Sequence, residues 1–332
     1  MNQLTSLKYA IKECERRCSE ASSSFVASFS TLPTEKKNAV TAIYAMCRWV
    51  DDIADGDSEE SLKFTKKIEK FSRERLEELI EIKGTSPSGD SDLAFRKFKA
   101  LNAIRLRLRA FSEGKPISQN EHEVMTAMHW VMNKFPVRLV DLETIIDGME
   151  DDLFPTKLET WEEVKGYCYK VASAVGLVLI EIYGYTDAKA RYHAVDMGIQ
   201  LQLINILRDV KEDLARGRIY LPLSVLKEYG IDEESLMDDE LESGYLWSSF
   251  TNHYVDVVYE HQSSAKELLP LLDPNSRMQP DLMLRVYQSL LSQIRKTRGA
   301  VFTKRPKVMI ATKVALGWKI ITKRALNMLM LN

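Results

Sequence analysis

The sequence of 332 residues contains little proline and little glycine, with 10 and 14 copies respectively. Both residues interrupt regular secondary structure, so their scarcity argues against a β-rich fold with many tight turns and favours long helices. No stretch rich in glycine, serine or proline is long enough to separate two domains. The most loop-like stretch, residues 85–92, is interpreted as an excursion within one domain. We therefore expect a single domain spanning residues 1–332.

A large net charge is also missing, because 46 lysines and arginines stand against 48 acidic residues, a formal charge of -2. This balance gives no electrostatic case for nucleic acid as a partner. The basic residues are unevenly placed, however, and from about residue 304 they occur with no acidic residue among them. They are Lys304, Arg305, Lys307, Lys313, Lys319, Lys323 and Arg324. This basic C-terminal segment is either the solvated face of a helix or an amphipathic contact with anionic lipid.

Cysteines are few, and Cys14, Cys18, Cys47 and Cys168 show no His/Cys spacing typical of a zinc site. Scattered thiols in a chain of this length indicate a reducing compartment. Residues 1–17 lack the apolar run of a signal peptide, and no stretch reaches the ~18 uninterrupted apolar residues of a membrane span. We expect a cytoplasmic protein without a transmembrane helix, and peripheral contact with the inner face of the membrane stays open.

Helical periodicity, by contrast, is abundant. Apolar residues recur at helical spacing throughout the chain, with no run of alternating strands and no repeat of fixed period. The predicted helices are residues 4–24, 34–55, 60–83, 93–112, 119–134, 137–152, 160–184, 187–216, 247–268 and 278–299. The predicted fold class is therefore all-α, a single helical bundle.

Two acidic segments carry the functional signal. The first reads Arg48-Trp-Val-Asp51-Asp52-Ile-Ala-Asp55 and contains the pattern D-D-x-x-D. The pattern alone is weak, because acidic residues are common enough here for a loose match to arise by chance. A comparable run, residues 238–242 (DDELE), lies in a polar stretch without an apolar helix face and is interpreted as a solvated loop.

Context distinguishes the first segment from that run. Tyr44, Arg48, Asp51 and Asp55 follow one another at steps of four, three and four residues, which places them on one helix face. The neighbouring positions are apolar, and a polar stripe on such a helix is costly to bury unless it is paired or binds metal. We name this face the first acid motif.

The second acid motif repeats the arrangement, with Gln202, Asn205, Asp209, Glu212 and Asp213 on one face of an apolar helix. Two such helices can face each other across the cavity of a bundle. Mg²⁺ prefers oxygen ligands and is usually shared between carboxylates and substrate phosphates. The two motifs therefore predict a diphosphate held by several Mg²⁺ ions, with Mn²⁺ as a substitute, and the alternative is two coincidental surface patches.

At these residues the chain resembles the squalene/phytoene synthase family of head-to-head prenyl transferases. The resemblance runs from about residue 20 to about residue 305 and comprises six segments in the family's order. They are residues 22–33, 42–55, 146–152, 167–176, 202–213 and 217–222. It implies an all-α isoprenoid synthase bundle around a central cavity that binds two prenyl diphosphates.

The resemblance also implies, by position, three sets of site residues. The metal carboxylates are Asp51, Asp55, Asp209 and Asp213. The implied catalytic residues are Tyr44, Arg48, Asp52, Arg218 and Tyr287. The implied substrate-binding residues are Phe25, Phe29, Asp152, Tyr167, Val171, Val175, Gly176, Gln202 and Asn205. Tyr167, Val171 and Val175 form a stripe that is more often plain core, and the resemblance favours a tunnel wall instead.

Two positions depart from the family pattern. Ser23 stands where a basic residue is common, and Gln200 stands where a small residue is usual. These departures concern the diphosphate contact at Ser23 and the tunnel shape near Gln200. They leave both acid motifs intact.

The reaction implied by the resemblance is ionisation of one prenyl diphosphate, followed by attack of the second substrate's double bond on the allylic cation. Phe29, one helical turn after Phe25, would close the tunnel floor to a longer chain. Residues 171–176 (VASAVG) look more like bacterial presqualene diphosphate synthases than like phytoene synthases. We therefore expect two farnesyl diphosphates to give presqualene diphosphate, without NADPH. Phytoene synthase and dehydrosqualene synthase are the alternatives.

Other classes fit the motifs less well. A chain-elongating prenyl synthase would carry a second D-D-x-x-D, where this chain has D-V-K-E-D. A terpene cyclase would need a different second metal motif and takes one substrate. A non-catalytic helical binding protein predicts no Mg²⁺-dependent binding of diphosphate.

Overall fold

The computed structural model describes residues 3–20, 24–56, 65–118 and 120–307, with residues 3–5 and 24–25 described by their backbone alone. The α-helices of this part of the chain are α1 (Gln3–Glu20), α2 (Ser24–Ser28), α3 (Thr34–Asp55), α4 (Lys66–Lys83), α5 (Ser91–Ser112), α6 (Glu123–Lys134), α7 (Leu139–Asp151), α8 (Trp161–Cys168), α9 (Ala174–Tyr183), α10 (Lys189–Arg208), α11 (Val210–Ala215), α12 (Leu223–Glu228), α13 (Tyr245–Leu271) and α14 (Met278–Lys296). Its β structure consists of two strands of two residues, β1 (Thr156–Lys157) and β2 (Arg218–Ile219). The prediction of an all-α fold is confirmed.

Most predicted helices agree with the structure to within about four residues at their ends, although α2 and α12 were not predicted. The predicted helices 4–24 and 60–83 extend into residues outside the described ones. Two predicted helices are interrupted. The segment predicted as one helix over 160–184 contains a turn of π-helix, Tyr169–Ser173, between α8 and α9. The segment predicted over 187–216 is interrupted at Asp209, which lies between α10 and α11 with φ -107° and ψ 14°. Both irregularities fall in segments that carry candidate site residues.

Within the described residues the chain divides into two compact units. The first comprises the residues before 24 together with 38–156, and the second comprises residues 24–37 together with those from 157 onward. The boundary falls inside α3, so four residues of its first turn belong to the second unit and its acidic end belongs to the first. The single-domain assignment stays a prediction.

The first unit packs α1 against α6, and α5 against α4, α6 and α7. The apolar positions of α3 are fully buried, as the sequence pattern requires, and Trp49 stacks on His122 with ring centroids 4.0 Å apart. Buried charges are paired: Arg105 lies 3.0 Å from Glu150 and 2.8 Å from Asp147. Burial raises the pKa of Glu150 although Arg105 opposes that shift. Such pairs are costly to break, because the remaining charge would be left without a partner.

The second unit is built around α10, which packs against α8, the π-helix, α9, α13 and α14. α8 begins with a capping box, in which the Thr160 hydroxyl accepts from the Glu163 backbone and the Glu163 carboxylate accepts from the Thr160 backbone. Tyr254 is fully buried on α13, and its hydroxyl donates to the Leu203 carbonyl of α10 at 3.0 Å. These contacts fix the helix that carries the second acid motif.

The continuous helical stretch Trp161–Tyr183 is long and apolar enough to cross a membrane by length and composition, and half of its most apolar window is buried in the structure. A core helix of a soluble protein passes the same test. In the structure, the α8, π-helical and α9 parts of this stretch pack against α10.

Candidate active site

The first acid motif lies at the C-terminal end of α3, in the first unit. Arg48 donates to Asp51 at 3.0 Å and approaches Asp52 at 2.6 Å, so both carboxylates share one guanidinium. All three side chains remain partly exposed, with 45%, 42% and 29% of their surface accessible. Burial opposes the charged form of Arg48, but the two carboxylates outweigh it and raise the pKa of Arg48. Asp55 and Tyr44 are also partly exposed, so the predicted face is open rather than packed into the core.

The end of α3 is held by an interaction that the sequence did not reveal. Lys97 of α5 donates to the Ala54 carbonyl at 3.0 Å, where a helix C-terminus has unsatisfied carbonyls. Gly56 follows in a left-handed conformation with φ +88°. Asp55 therefore occupies the last turn of a well-terminated helix.

The second acid motif lies at the junction of α10 and α11, in the second unit. Asp209 occupies the break between these helices, and its carbonyl accepts the Asp213 N–H at 3.0 Å, which keeps the two residues one turn apart. Arg208 binds the Asp209 carboxylate through Nε at 2.7 Å and Nη2 at 2.5 Å. Arg305 contacts the same carboxylate from the C-terminal segment, with Nε 2.8 Å from Oδ1.

Asn205, one turn before Asp209, presents an oxygen with no partner among the described residues. Its Nδ2 donates to Gln202 Oε1 at 3.2 Å, which orients the amide, while its buried Oδ1 has no hydrogen bond. A buried oxygen of this kind is costly unless a ligand or water satisfies it. Amide and carboxylate oxygens within one helix turn are the donors that Mg²⁺ prefers. The residues at this junction therefore fit a hard divalent cation.

Among the residues described, no three His, Cys, Asp or Glu side chains stand close enough together to hold a metal ion alone. The carboxylates contact arginines instead, as described for Arg48 and Arg208. A cation at either motif would have to complete its coordination with oxygens from elsewhere, which is the usual situation for Mg²⁺ shared with substrate phosphates.

A small cavity adjoins the second acid motif. Asp213 and Arg218 supply its charged lining, while Tyr220 and several aliphatic residues supply the rest. The structure thus brings together two side chains that the sequence placed in the metal and catalytic sets. The ring of Tyr220 stacks on Tyr167 with centroids 4.3 Å apart, which links this cavity to the predicted tunnel wall.

The predicted wall residues Tyr167, Val171 and Val175 are each partly exposed. Other side chains of the same helical stretch, such as Cys168 and Leu177, are buried. The stripe is therefore only partly buried along its length, and Tyr167 also packs against the core. Its role as a tunnel wall stays a prediction. The π-helix lies in the middle of the stripe and changes the helical register there. Short π-helical turns are frequent at functional sites.

The remaining predicted residues fall at several positions. In the second unit, Phe29 is buried at 1% exposure in a 3₁₀ turn, and Tyr287 of α14 is partly buried against the core. In the first unit, Asp152 directly follows α7 and is 9% exposed. The Phe25 side chain and Ser23 lie outside the described residues. Because α2 ends at Ser28, the expectation that Phe25 and Phe29 share one regular helix is wrong.

Gln200 lies away from the candidate site, whereas Arg305 contacts it. Gln200 lies about 140° around α10 from Asn205, on a helix of 100° per residue, so it faces away from the second acid motif. Its side chain is fully buried, and neither polar atom has a hydrogen bond within the described structure. In the sequence, Arg305 is only one of the seven basic residues of the C-terminal segment. Its contact with Asp209, 96 residues earlier in the chain, appears only in the folded structure.

Comparison with known proteins gives consistent results. The family model described as squalene/phytoene synthase matches residues 18–311. Phytoene synthase 2, chloroplastic, of Oryza sativa subsp. japonica is 30% identical over 311 residues, covering 92% of this chain and 68% of the relative. The 15-cis-phytoene synthase of Synechococcus elongatus is 26% identical over 317 residues, covering 92% of this chain and 90% of the relative.

Solved structures show the same fold at lower identity. A dehydrosqualene synthase in complex with ligand superposes with a TM-score of 0.76 at 24% identity, covering 97% of this chain and 98% of that one. Squalene synthase HpnC from Alicyclobacillus acidocaldarius superposes with a TM-score of 0.69 at 20% identity, covering 90% and 98%. The helical arrangement is therefore that of isoprenoid synthases.

Proposed function

The chain belongs to the squalene/phytoene synthase family and is a prenyltransferase, and we propose that it condenses two farnesyl diphosphates head to head into presqualene diphosphate. The observation that carries the proposal is the second acid motif. There, the unpaired Asn205 oxygen, Asp209 and Asp213 supply oxygen donors, and Arg218 adds a cation beside an apolar cavity. A prenyl diphosphate has an anionic headgroup, which metal ligands and a cation bind, and a hydrophobic chain, which needs apolar surroundings.

Asp51 and Asp55 at the first acid motif, and Asn205, Asp209 and Asp213 at the second, would each bind Mg²⁺, or Mn²⁺ in its place. When bound, the ion neutralises charge on diphosphate oxygens and so makes diphosphate a better leaving group. The first acid motif would contribute in the same way as the second, from its own partly exposed carboxylates. Gln202 orients Asn205 through the amide hydrogen bond.

The protein's own cations and aromatic rings have separate tasks in the proposed reaction. Arg48 and Arg218 bind diphosphate oxygens, because guanidinium groups form paired hydrogen bonds with phosphate. The carbon–oxygen bond of one substrate breaks, and its electron pair leaves with inorganic diphosphate. The double bond of the second substrate attacks the resulting allylic cation, and loss of one proton closes the cyclopropane ring. Tyr220 borders the cavity and its ring stacks on Tyr167, and the π faces of such rings stabilise carbocations.

Substrate length is the finer part of the proposal. Full burial of Phe29 supports a closed tunnel end that accepts a C15 chain. A second candidate is phytoene synthase, with two geranylgeranyl diphosphates as substrates, and it is favoured by the names of relatives up to 30% identical. A third candidate is dehydrosqualene synthase, which would use the same C15 substrate and form a different product. NADPH is not expected to take part.

The test is product analysis of the purified chain. Farnesyl and geranylgeranyl diphosphate are supplied separately with Mg²⁺, with and without NADPH, and products are identified by mass spectrometry. The proposal expects presqualene diphosphate from the C15 substrate, with no change when NADPH is added and no turnover after chelation of the metal. Faster formation of a C40 product establishes the second candidate, and a single-substrate product would overturn head-to-head condensation.

We also propose that the enzyme works in the cytoplasm in peripheral contact with an anionic membrane. Product chains of this size partition into lipid, and Lys304 and Lys307 are exposed in the described part of the basic C-terminal segment. Lys313, Lys319, Lys323 and Arg324 lie outside the described residues. Clusters of basic residues bind anionic lipid through screened charge interactions.

A further inference from the structure

The chain that follows α14 turns back and is fixed to α13. Arg298 and Gly299 both have positive φ, at 54° and 82°, which reverses the chain direction. Trp247 Nε1 of α13 donates to the Gly299 carbonyl at 2.7 Å. A Cβ on Gly299 would lie 2.3 Å from Thr251 Oγ1, so the backbone approaches α13 as closely as glycine allows.

Glu242 then fixes the next residues of this segment. Its carboxylate accepts the Phe302 N–H at 2.7 Å, the Thr303 N–H at 3.3 Å and the Thr303 hydroxyl. The Phe302 ring is buried and lies edge-on to Trp247 with centroids 5.0 Å apart. Hydrogen bonds to an ionised carboxylate are stronger than those between neutral groups. Glu242 belongs to the acidic run 238–242, which the sequence indicated to be a solvated loop. In the structure its carboxylate binds residues 302 and 303.

Arg305, two residues after Thr303, reaches the second acid motif. Its Nε and Nη2 lie 2.8 and 2.7 Å from Asp209 Oδ1, and Nε lies 3.4 Å from Glu212 Oε1. With Arg208 on the same carboxylate, Asp209 is bound by two guanidinium groups. A divalent cation at Asp209 would compete with Arg305 for the same oxygen.

We propose that Glu242 is a positioning residue: it holds the segment 302–303 so that Arg305 occupies Asp209 until a divalent cation takes that carboxylate. This inference rests on the proposed function, since Asp209 is there a metal ligand. Two residues of extended chain span only about 7 Å, so fixing Thr303 limits where the Arg305 guanidinium can go. Glu242 therefore acts on the second acid motif through Arg305, without touching it.

A purely structural role for Glu242 makes a different prediction. If it only anchors the C-terminal segment, its removal lowers stability and leaves metal affinity unchanged. If it positions Arg305, its removal frees Asp209 and strengthens metal binding. Metal affinity in the absence of substrate therefore separates the two roles.

The experiment titrates Mn²⁺ alone into the full chain and follows the free ion by its EPR signal. Arg305→Gln removes the competing charge, and we expect Mn²⁺ affinity to rise by roughly 3- to 10-fold. Glu242→Ala should raise it in the same direction. Combining the two should add nothing to Arg305→Gln, because both act on one contact. Glu242→Gln keeps one acceptor oxygen and should restore most of the wild-type affinity.

The matched control is Lys304→Gln, which removes the same charge from the adjacent exposed position and should leave Mn²⁺ affinity within about twofold of wild type. Unchanged affinity in Arg305→Gln would overturn the competition. A rise in Arg305→Gln without any rise in Glu242→Ala would overturn the positioning role. Turnover of prenyl diphosphates by the wild type, measured separately, tests the proposed function, and its absence would overturn that function whatever the titrations show.

Discussion

Gly198 of α10 lies against Ser173, the last residue of the π-helix, with no room for a side chain between them. A Cβ on Gly198 would stand 2.4 Å from Ser173 Cα and 2.6 Å from its backbone nitrogen. The Ser173 hydroxyl donates to the Val195 carbonyl of α10 at 2.7 Å. Close approach of these two backbones places the predicted wall stripe beside the helix that carries the second acid motif.

Gly198→Ala should therefore destabilise the protein by about 1–3 kcal/mol or more, because the obstructing atoms are backbone and cannot rotate away. The matched control is Gly166→Ala in α8, where a Cβ meets nothing within 4 Å. That change should be neutral or stabilise by up to about 1 kcal/mol, since alanine favours helix. Urea unfolding of the two variants checks the difference, and equal midpoints would contradict the close packing.

Neutralising one carboxylate in either acid motif should remove most activity. Asp51→Asn and Asp213→Asn keep the side-chain shape but replace a charged oxygen with an amide, which is a poorer ligand for a hard cation. We expect turnover to fall on the order of 100-fold or more, with the unfolding midpoint nearly unchanged. Initial rates at saturating Mg²⁺, beside thermal unfolding, measure both quantities.

Asp239→Asn is the control for those variants, because it changes an equally acidic pattern elsewhere. Asp239 pairs with Lys211 at 2.6 Å, and both side chains are about half exposed, at 53% and 50%. An exposed ion pair contributes at most about 1 kcal/mol. Turnover should therefore stay at the wild-type value. Loss of activity here, with normal rates in the other two variants, would show that the wrong motif was chosen.

Cysteine reactivity gives a prediction with a defined pH dependence. Burial, with a smaller contribution from Asp51, raises the pKa of Cys47 to about 12. The thiolate is the reactive form, so alkylation of Cys47 should be slow at pH 8 and should rise about tenfold per pH unit up to pH ~10. An ordinary thiol would level off near pH 8.5.

Cys14, Cys18 and Cys168 are buried and should react more slowly than Cys47 in the native protein. Mass spectrometry after timed iodoacetamide treatment assigns each site, and urea should release all four thiols. Rapid native labelling of Cys168 would contradict its burial beside the wall stripe.

Membrane contact should depend on charge. The protein should sediment together with vesicles that contain anionic lipid at low salt. It should stay in the supernatant at high salt, because salt screens the interactions between exposed charges. Lys304→Gln together with Lys307→Gln should weaken this binding. Equal sedimentation with neutral and anionic vesicles would rule out the electrostatic part of the proposal.

The features of the fold and of the candidate site that could be predicted from the sequence are those that depend on residues close together in the chain. The course of α3 was predictable to the residue, because its apolar spacing and its acidic end are local patterns. The helical course of the residues before Asp209 was predictable for the same reason, although the helix break at Asp209 was not. A one-residue interruption leaves the apolar period almost unchanged, so periodicity does not detect it.

Contacts between distant parts of the chain were not predictable. Arg305 and Asp209 are 96 residues apart, and Glu242 and Thr303 are 61 apart. Their side chains carry no sequence signal beyond charge. The π-helix was also missed, since YKVAS has ordinary helix-forming residues and its irregular hydrogen bonding arises where the helix packs against Gly198.

Phe29 provides the test of substrate length. Its ring is 1% exposed in the 3₁₀ turn after α2, so Phe29→Ala should cost roughly 3–5 kcal/mol if the site does not collapse. If the ring closes the tunnel, the variant should also accept geranylgeranyl diphosphate, because a phenyl group has about the bulk of one isoprene unit. Phe98→Ala, at a position of 0% exposure in the first unit, is the matched control. It should lose similar stability and keep the wild-type ratio of C30 to C40 products, measured by mass spectrometry below the unfolding transition of both variants. A product ratio that shifts equally in both variants, or in neither, would mean that Phe29 packs as ordinary core and that another residue limits chain length.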